Sequence, residues 1–507
     1  MPTGELVGVE QKSTALGPFP ESKHEILPGN TADDEDETSP FSVFTPAEKR
    51  SIACLASFSA IFSTISSFIY FPAVTALSNS LHVSIGAINL TITSYFIVAG
   101  IAPSIMGDMA DQSGRRPVSL LAFTLYLGAT LGLAAQDSYA ALQTLRCLQS
   151  AGASGTVAIA YGVISDIAPS AERGSYVGLL LGLANAAPSL GPVLGGVIAE
   201  KLSWRWIFWI LAITSGLHLL LLFVFLPETA RIVVGNGSRS PRSIIYQSLY
   251  HRLCRSRYDQ NEGRIPEKPP FHLPNPFSSL ITLLQRCTFI VILVGSLQSS
   301  LFNSIATSLS SQMIHIYSLT YLTAGLSYLP SGLGGAIAAY FTGKLLDRDY
   351  RMTSKNHPGP ADISIDNVSS FPIEKARLRS IFIFIAINTV ATAGYGWALA
   401  SRTHIAVPLI MLFFTGSSSA ATFVACGTLI TDLNPNRSST VQASYNLTRC
   451  LMNAAAIAAL QPMIDSVGVG WCFTIFAAIG ALCVPSLLLL RSRGLAWRLG
   501  KVDQQMT

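Results

Sequence analysis

A charged segment at positions 107–117, with the sequence GDMADQSGRRP, holds residue types suited to reversible ion pairing. Its acidic residue Asp111 can face the positive end of a helix. Its basic residues Arg115 and Arg116 can each hold a carboxylate in a charge-assisted hydrogen bond. Gly107 and Gly114 permit a close helix approach and a sharp turn. The pattern predicts either ion pairs that hold neighbouring helices together or, more simply, a turn that its arginines keep on one side of a membrane.

The residues around this segment indicate that it joins two membrane helices. No Lys, Arg, Asp or Glu occurs in residues 85–106 before it or in residues 118–135 after it. A helix of ~20 apolar residues is long enough to cross the hydrocarbon core of a bilayer. Over the whole chain only 12% of residues are charged and the mean hydropathy is +0.45, whereas about 25% are charged in a soluble domain. The composition therefore excludes an ordinary soluble protein.

The sequence predicts twelve membrane helices in two groups of six, and hence an all-α integral membrane protein. The predicted spans lie at about 51–73, 86–106, 118–135, 139–164, 174–199, 204–226, 288–310, 323–343, 378–400, 405–430, 438–462 and 468–490. Of 33 Lys and Arg residues, Lys201, Arg205 and Arg402 alone lie in predicted outer loops. This bias predicts that both ends of the chain are cytoplasmic.

The same reading divides the chain into five parts. We expect a disordered cytoplasmic tail over 1–45, where the polar composition cannot form a core. An N-terminal six-helix bundle follows at 46–226, then a cytoplasmic linker at 227–287. A C-terminal six-helix bundle occupies 288–490, and a short cytoplasmic tail occupies 491–507.

The two halves carry matching sequence features, which indicates a duplicated six-helix unit. Gly107-x-x-x-Asp111 recurs as Gly343-x-x-x-Asp347, followed by Arg348. The pattern at 165–169, which contains Asp166, recurs at 431–435. Parallel repeats with a site between them are a recurring design of secondary transporters.

The fifth predicted span contains an unusual run of prolines and glycines. Two prolines lie four residues apart with three glycines beside them, at Pro188, Gly191, Pro192, Gly195 and Gly196. Small residues let membrane helices approach closely. The run predicts a kinked helix that has one face without large side chains, against which another helix can pack closely.

These motifs together resemble the major facilitator superfamily, and within it the fungal twelve-span drug:proton antiporters of the quinidine-resistance branch. The resemblance extends over about 44–495 and rests on the 107–117 loop, the GPxxGG antiporter signature of span 5 and the phrases LxxxRxxQxxG at 142–152, FIYFPA at 68–73 and LPET at 226–229. It implies the fold of that superfamily, alternating access, export and proton antiport. It further implies that Asp111 contacts the start of span 11 and that Arg115 or Arg116 reaches Asp166, so that these residues latch the outward-facing state.

Polar residues near the middle of the spans are candidates for the substrate cavity. They are Ser63, Arg146, Gln149, Asn185, Gln298, Asn303, Tyr445, Asn446 and Arg449. A buried arginine needs a partner, and no Asp or Glu lies deep in a predicted span, so Arg146 and Arg449 favour an anionic substrate. Two simpler interpretations stay open: Arg146 could extend to the outer surface if span 4 begins later, and single Ser or Asn residues often only join helices.

The sequence thus predicts a secondary transporter that exports drugs, toxins or secondary metabolites by proton antiport. The alternative is a facilitator or carrier of an organic acid or polyamine. No HExxH, GxSxG or phosphate-loop pattern indicates an enzyme, and no cofactor or metal is expected. The expected partners are a small-molecule substrate, protons and the lipid bilayer, with no nucleic acid. We expect a monomer in the plasma membrane or, as a second option, in a vacuolar or vesicle membrane.

Overall fold

A computed structural model describes residues 41–239, 243–250, 285–355, 372–434 and 438–506, and every regular element within these residues is a helix. The Lys- and Arg-rich side, which the charge bias predicts to be cytoplasmic, is called the inner side below. The predicted tail over 1–40 and residues 251–284 of the predicted linker lie outside the described residues.

Six long helices form the N-terminal half. They are α1 (Pro46–Phe68), α2 (Ile85–Ser113), α3 (Arg115–Ala135), α4 (Tyr139–Ile167), α5 (Ser170–Lys201) and α6 (Trp204–Phe225). Polar caps fix where several of them begin: Thr45 and Glu48 form a capping box on α1, and Ser84 and Ser138 cap α2 and α4. After α1 the chain continues outward through a 3₁₀ turn, Phe71–Ala73, and the short helix Val74–Leu81.

The C-terminal half repeats this arrangement. It contains α7 (Arg286–Tyr317), α8 (Leu329–Lys355), α9 (Ile381–Ala400) and α10 (Ala406–Leu433), with the short helix Tyr321–Leu326 before α8. The last two helical stretches are Ser438–Ala481 and Cys483–Met506. Gly468 interrupts the first of these with φ 81° and ψ 163°, so we name residues 438–467 α11 and residues 469–506 α12.

Length and hydropathy alone identify ten candidate membrane spans among the described residues. One of them, Thr440–Arg498, is 59 residues long and contains most of α11 and most of α12. A further helix, α8, is long enough to cross but is less apolar because its inner end carries Lys344 and Arg348. The helices α1–α12 therefore agree with the predicted twelve.

Several helices extend further on the inner side than predicted. Helix α2 ends at Ser113 instead of about 106, and α8 ends at Lys355 instead of about 343. The pattern at 343–347 is therefore helical, as is its counterpart at 107–111, which lies at the inner end of α2. Residues 41–45, assigned to the tail, contact the start of the linker, where the Val43 N–H donates to the Asn236 carbonyl at 3.1 Å.

Within the described residues, the buried apolar side chains form three clusters, and these reveal the conformation. The largest lies on the outer side and contains residues of both halves, such as Phe71 and Tyr328, whose ring centroids are 6.4 Å apart. The two inner clusters are separate, one around Phe123 in the N-terminal half and one around Leu429 in the C-terminal half. The halves therefore meet on the outer side and part towards the inner side, which is an inward-facing arrangement.

Candidate functional site

The charged segment forms a sharp turn between α2 and α3. Gly114 has φ 104°, a conformation that side chains rarely adopt, and an added Cβ would lie 2.6 Å from Glu228 Oε2. Arg115 follows it and contacts two carboxylates: Nη1 lies 2.5 Å from Asp111 Oδ1, and Nε lies 3.0 Å from Asp166 Oδ2. Gly162 on α4 makes room for this guanidinium, since a Cβ there would lie 2.6 Å from Arg115 Cζ. The predicted reach of an arginine to Asp166 is thus made by Arg115.

The Asp111 side chain is 62% exposed and has Arg115 as its ion-pair partner. Its predicted contact with the start of α11 stays a prediction, because residues 435–437 and the side chains of Ser438 and Ser439 lie outside the described residues. Gly107 contributes little constraint of its own, since a Cβ there would meet Ala158 at an ordinary 3.5 Å.

Arg116 points away from the other members of the latch. Its guanidinium is buried, donates to the Phe223 carbonyl at 2.7 Å and lies 5.6 Å from the Phe223 ring centroid. Sequence reasoning grouped Arg116 with Arg115 because the two are adjacent. In the fold Arg115 joins α3 to α4, whereas Arg116 joins α3 to α6.

Glu228 was missed as a site residue, although it lies in the LPET phrase. Its buried carboxylate accepts the backbone N–H groups of Arg115 at 2.8 Å and Arg116 at 3.2 Å, and those of Thr229 and Ala230 at 2.9 Å. The carboxylate therefore caps the positive end of α3. Burial raises the pKa of Glu228 above its ordinary 4.5, although these four N–H groups act to lower it.

The C-terminal half has its own version of this cluster. Arg377 Nε donates to Asp432 Oδ2 at 2.8 Å, in the position that Arg115 and Asp166 occupy in the first half. Glu374 accepts two hydrogen bonds from Arg498, at 2.8 and 2.9 Å. The counterpart of Arg115 in the second half is therefore Arg377, which the sequence repeat did not indicate.

The proline- and glycine-rich run of α5 packs on two different surfaces. The helix is continuous through Pro188 and Pro192. Gly191 and Gly195 face the backbone of Ile69 at the end of α1, in the same half. Gly196 faces the other half, where an added Cβ would lie 2.5 Å from the Tyr321 carbonyl oxygen and 3.3 Å from Gly325 Cα.

A hydrogen bond strengthens this contact between the halves on the outer side. Glu200, one turn after Gly196, accepts the Leu322 N–H at 2.7 Å. Gly325 packs equally closely, since a Cβ there would lie 2.5 Å from the Pro192 carbonyl oxygen. The antiporter motif thus lies in the closed outer side of this conformation.

Arg146 lies inside the N-terminal half and not in the gap between the halves. Its guanidinium donates to the Ser66 carbonyl at 3.2 Å and to Gln149 Oε1 at 2.7 Å, and it lies between the rings of Tyr70 and Tyr95 at 4.4 and 4.3 Å. Its side chain is 1% exposed, so the interpretation that it extends to the outer surface is wrong. Gln149 is also buried and donates to Thr130.

Two other candidates, Gln298 and Asn303, lie inside the C-terminal half. Gln298 donates to the Gly480 carbonyl at 3.1 Å and accepts from Asn388 at 2.7 Å. Asn303 donates to the Ser299 carbonyl at 2.9 Å. The contacts of Gln298 join helices of one bundle, whereas that of Asn303 lies within α7.

Arg449 on α11 lies near the boundary between the halves and is half-buried. It donates to Asn446 Oδ1 at 2.8 Å and lies 5.8 Å from the Phe423 ring centroid. Asn446 in turn points its amide at the Ala99 carbonyl of the opposite half, at 3.5 Å. The buried ring of Tyr445 stacks on Phe423 at 5.6 Å. This group is the part of the predicted cavity that the fold brings together.

The remaining two candidates of the cavity set are less buried. Ser63 on α1 is half-buried, and its carbonyl accepts the Tyr95 hydroxyl at 3.2 Å. Asn185 on α5 is exposed. Neither contacts the Arg449 group in this conformation.

His218 on α6 is a second residue that sequence reasoning missed. Its Nε2 lies 2.8 Å from Ser59 Oγ, and the rings of Phe58, Phe62 and Phe123 surround it. Its Nδ1 is buried without a hydrogen-bond partner in the described structure. A histidine inside the largely apolar run at 206–226 was the available signal.

Comparison with known proteins decides the family. The family model described as Major Facilitator Superfamily matches residues 56–457. The chain belongs to the Major Facilitator Superfamily. The predicted family and fold are thereby confirmed, and this member of the superfamily is a membrane transporter and not an enzyme.

Fungal transporters of the superfamily align with nearly the whole chain. The MFS-type transporter phiD of a fungal species is 38% identical over 90% of this chain and 70% of its own length. Citrate exporter 1 of Aspergillus niger is 37% identical over 91% of this chain and 89% of its own length. Multidrug transporter QDR2 of Candida glabrata is 31% identical over 90% and 82%. The last supports the predicted drug-transporter group.

A solved structure of the superfamily has the same fold. The Escherichia coli xylose transporter XylE, in a partially occluded inward open conformation, superposes with a TM-score of 0.61 over 88% of this chain and 97% of that chain. The two sequences are 15% identical, so this similarity concerns the fold alone.

Proposed function

We propose that this transporter exports small organic molecules that carry a carboxylate or a similar group of oxygen atoms. The observation that carries the proposal is the position of Arg449, half-buried beside the opposite half and hydrogen-bonded to a neutral amide. Within the described residues no carboxylate pairs with it. The site thus offers a positive charge at the place where the halves separate.

The chemistry of Arg449 favours an anionic ligand. A guanidinium at membrane depth is costly unless a partner offsets its charge, and its planar fork matches a carboxylate with two parallel hydrogen bonds. Phe423 and Tyr445 beside it supply apolar surface for the rest of a substrate. The alternative of a polyamine carrier is disfavoured, because a polycation would be repelled here.

Two observations support export. One is the resemblance of the run at 188–196 to the antiporter signature, and the other is the relative named as a citrate exporter. A facilitator of an organic acid would use the same Arg449 group, so the direction of transport must be measured. We place the transporter in the plasma membrane as a monomer, again as a proposal.

We further propose proton antiport with His218 as the proton carrier. Within the described spans no Asp or Glu lies at mid-membrane depth, and the groups that face His218 from α1 and α3 are uncharged: Ser59, Phe58, Phe62 and Phe123. A small cavity of about 10 Å³ lies beside Ser59 and extends along Leu222 and Leu226 towards the inner side. Such a space is about the minimum for one water molecule, which could pass a proton to this site.

The substrate proposal is tested with Arg449→Lys and Arg449→Ala. The lysine variant keeps the charge but loses the fork, and one hydrogen bond to a charged group is worth ~1.5–3 kcal/mol. We expect export of carboxylates such as citrate to need roughly 10- to 100-fold more substrate, while a neutral substrate is much less affected. Arg493→Lys, at an exposed position on α12, is the matched control. Unchanged carboxylate export by both Arg449 variants would overturn the proposal.

The coupling proposal is tested with His218→Gln in proteoliposomes. Glutamine can keep a hydrogen bond to Ser59 but cannot carry a proton. We expect exchange of internal for external substrate to persist, while accumulation driven by a pH gradient is lost. His315→Gln, at an exposed position near the outer end of α7, should behave as wild type. Full pH-driven accumulation by the His218 variant would assign the proton to another group.

A further inference from the structure

A groove outside the transport path lies at the inner ends of α8 and α9. Its volume is about 370 Å³, and α8 supplies most of its lining, with Phe384 of α9 as the opposite wall. The lining is apolar along most of its length, with Phe341 and Leu345 as its larger members. The Phe341 side chain is 60% exposed, so nothing described in the protein covers this surface.

The length and position of the groove match one leaflet of a bilayer. The residues from α8 run from Ala338 to Arg348 at intervals of three and four, which is one face of a helix. Ten residues rise about 15 Å along a helix axis, and half of a ~30 Å hydrocarbon core is the same distance. The groove therefore extends through the acyl layer on the inner side and ends at the level of the lipid head groups.

Two basic side chains lie at the head-group end. Lys344 and Arg348 are one helical turn apart, both exposed, and both line the groove. Lys344 Nζ lies 4.4 Å from the Tyr340 ring centroid, and within the described residues neither basic group pairs with a carboxylate. The nearby Asp349 is buried and accepts a hydrogen bond from Ser380. The two positive charges are thus available to a ligand.

We propose that this groove binds an anionic phospholipid of the inner leaflet. The lipid phosphate contacts Lys344 and Arg348, and one acyl chain lies against Phe341 and Phe384. Basic groups on the cytoplasmic side of membrane helices are a recognised feature of sites for anionic head groups. Here the apolar wall distinguishes the ligand from a free phosphate or a soluble organic acid, because only a lipid fills both parts of the groove.

The site also borders the cluster that fixes the inner end of the C-terminal half. Arg377, which pairs with Asp432, donates through Nη1 to the Leu346 carbonyl at 3.4 Å, between the two basic positions of α8. A bound lipid would add a further contact to the same turn of helix. We therefore expect lipid binding to stabilise this end of the protein.

The experiment measures lipid binding by the purified full chain and is independent of transport. Fluorescent phosphatidylserine and phosphatidylcholine are titrated onto wild type, Lys344→Gln/Arg348→Gln, and the control Arg351→Gln/Lys355→Gln, which neutralises two other exposed basic residues of α8. At ~1 kcal/mol for each basic residue near the surface, we expect the groove variant to bind phosphatidylserine about 30-fold more weakly. Phosphatidylcholine binding should be unchanged.

Two further measurements make the result decisive. Lys344→Arg/Arg348→Lys keeps both charges and should bind as wild type does, which separates loss of charge from loss of folding. Glycerophosphoserine and inorganic phosphate, which lack acyl chains, should compete only at far higher concentrations. Equal weakening in the Arg351/Lys355 control would show that only the overall charge of the inner surface matters and would overturn the proposal. Equal competition by inorganic phosphate would overturn it as well.

Discussion

Gly196→Ala tests whether the antiporter motif holds the outer side closed. The change adds one methyl group at a point where the two halves touch through backbone atoms. The new Cβ would lie 2.5 Å from the Tyr321 carbonyl oxygen and 3.3 Å from the Cα atoms of Gly325 and Leu322. Because these neighbours are backbone and not flexible side chains, the halves must move apart to admit it.

The shift in the conformational equilibrium can be calculated because the clash occurs in only one of the two conformations. Overpacking of a close contact costs ~1–3 kcal/mol, and it applies only while the outer side is closed. The outward-facing state, in which α5 and the segment 321–326 separate, does not carry this cost. The equilibrium should therefore shift towards the outward-facing state by about 5- to 150-fold.

The assay is a distance measurement between spin labels on the outer side, at Ser80 in the N-terminal half and Val467 in the C-terminal half, in a cysteine-depleted chain. Both positions are exposed. Gly196→Ala should increase the population with a long distance and reduce export. Gly182→Ala on the same helix is the control, because a Cβ there meets nothing within 4 Å.

Two results would refute the reasoning. If Gly196→Ala and Gly182→Ala give the same distance distribution, the contact with Tyr321 and Gly325 does not determine the equilibrium. If the distances lengthen but export is unaffected, closure of the outer side does not limit the transport cycle, and the motif has a packing role alone.

Two predictions concern the inner side. Arg115→Gln leaves the largely buried Asp166 without its counter-charge. We therefore expect the free energy of unfolding to fall by ~1–3 kcal/mol, which lies between the values for exposed and buried ion pairs. Asp111→Asn removes an exposed carboxylate, so it should lower the free energy of unfolding by only ~0–1 kcal/mol and act mainly on transport. Thermal unfolding of both variants checks this comparison, and equal stability of the two would contradict it. Glu228 has a raised pKa, so its stabilising contribution is present below about 4.5 and is lost as pH rises through the folded pKa. The stability of wild type relative to Glu228→Gln should therefore fall as pH rises above about 4.5, and a constant difference would contradict the assignment.

The fold could be predicted well because membrane helices can be recognised in a sequence from their apolar composition. Runs without charge located the spans, and this signal is local. The pair that Asp166 and Arg115 form was implied by the resemblance to the superfamily, which left Arg115 and Arg116 as alternatives. The structure separates the two arginines, because the guanidinium of Arg116 is buried against Phe223.

The failures concern contacts between segments that are distant in the chain. The sequence repeat did not identify a counterpart of Arg115. Arg377 takes that position from the short helix Ile373–Arg377 before α9, far along the chain from the pattern at 343–347, because α8 continues as a helix past the expected turn. Glu228 caps α3 from the far end of α6, and no local pattern connects the two. Arg146 was placed in the cavity by depth alone, whereas the direction of its side chain depends on Tyr70 and Tyr95. The depth of a residue in the membrane can be predicted from the sequence. Whether its side chain points into its own helix bundle or into the gap between the bundles depends on packing.

The modest hydropathy of α8 bears on how the chain enters the membrane during synthesis. Between Leu329 and Thr342 the helix contains a proline, a serine, three glycines and three alanines, and such residues gain little free energy on transfer from water into lipid. The helix packs more extensively against α10 than against any other helix, and α10 follows it in the chain. We therefore expect α8 to be stably inserted only after α10 has been synthesised. Assembly of the C-terminal half is thus ordered by the polarity of one of its helices.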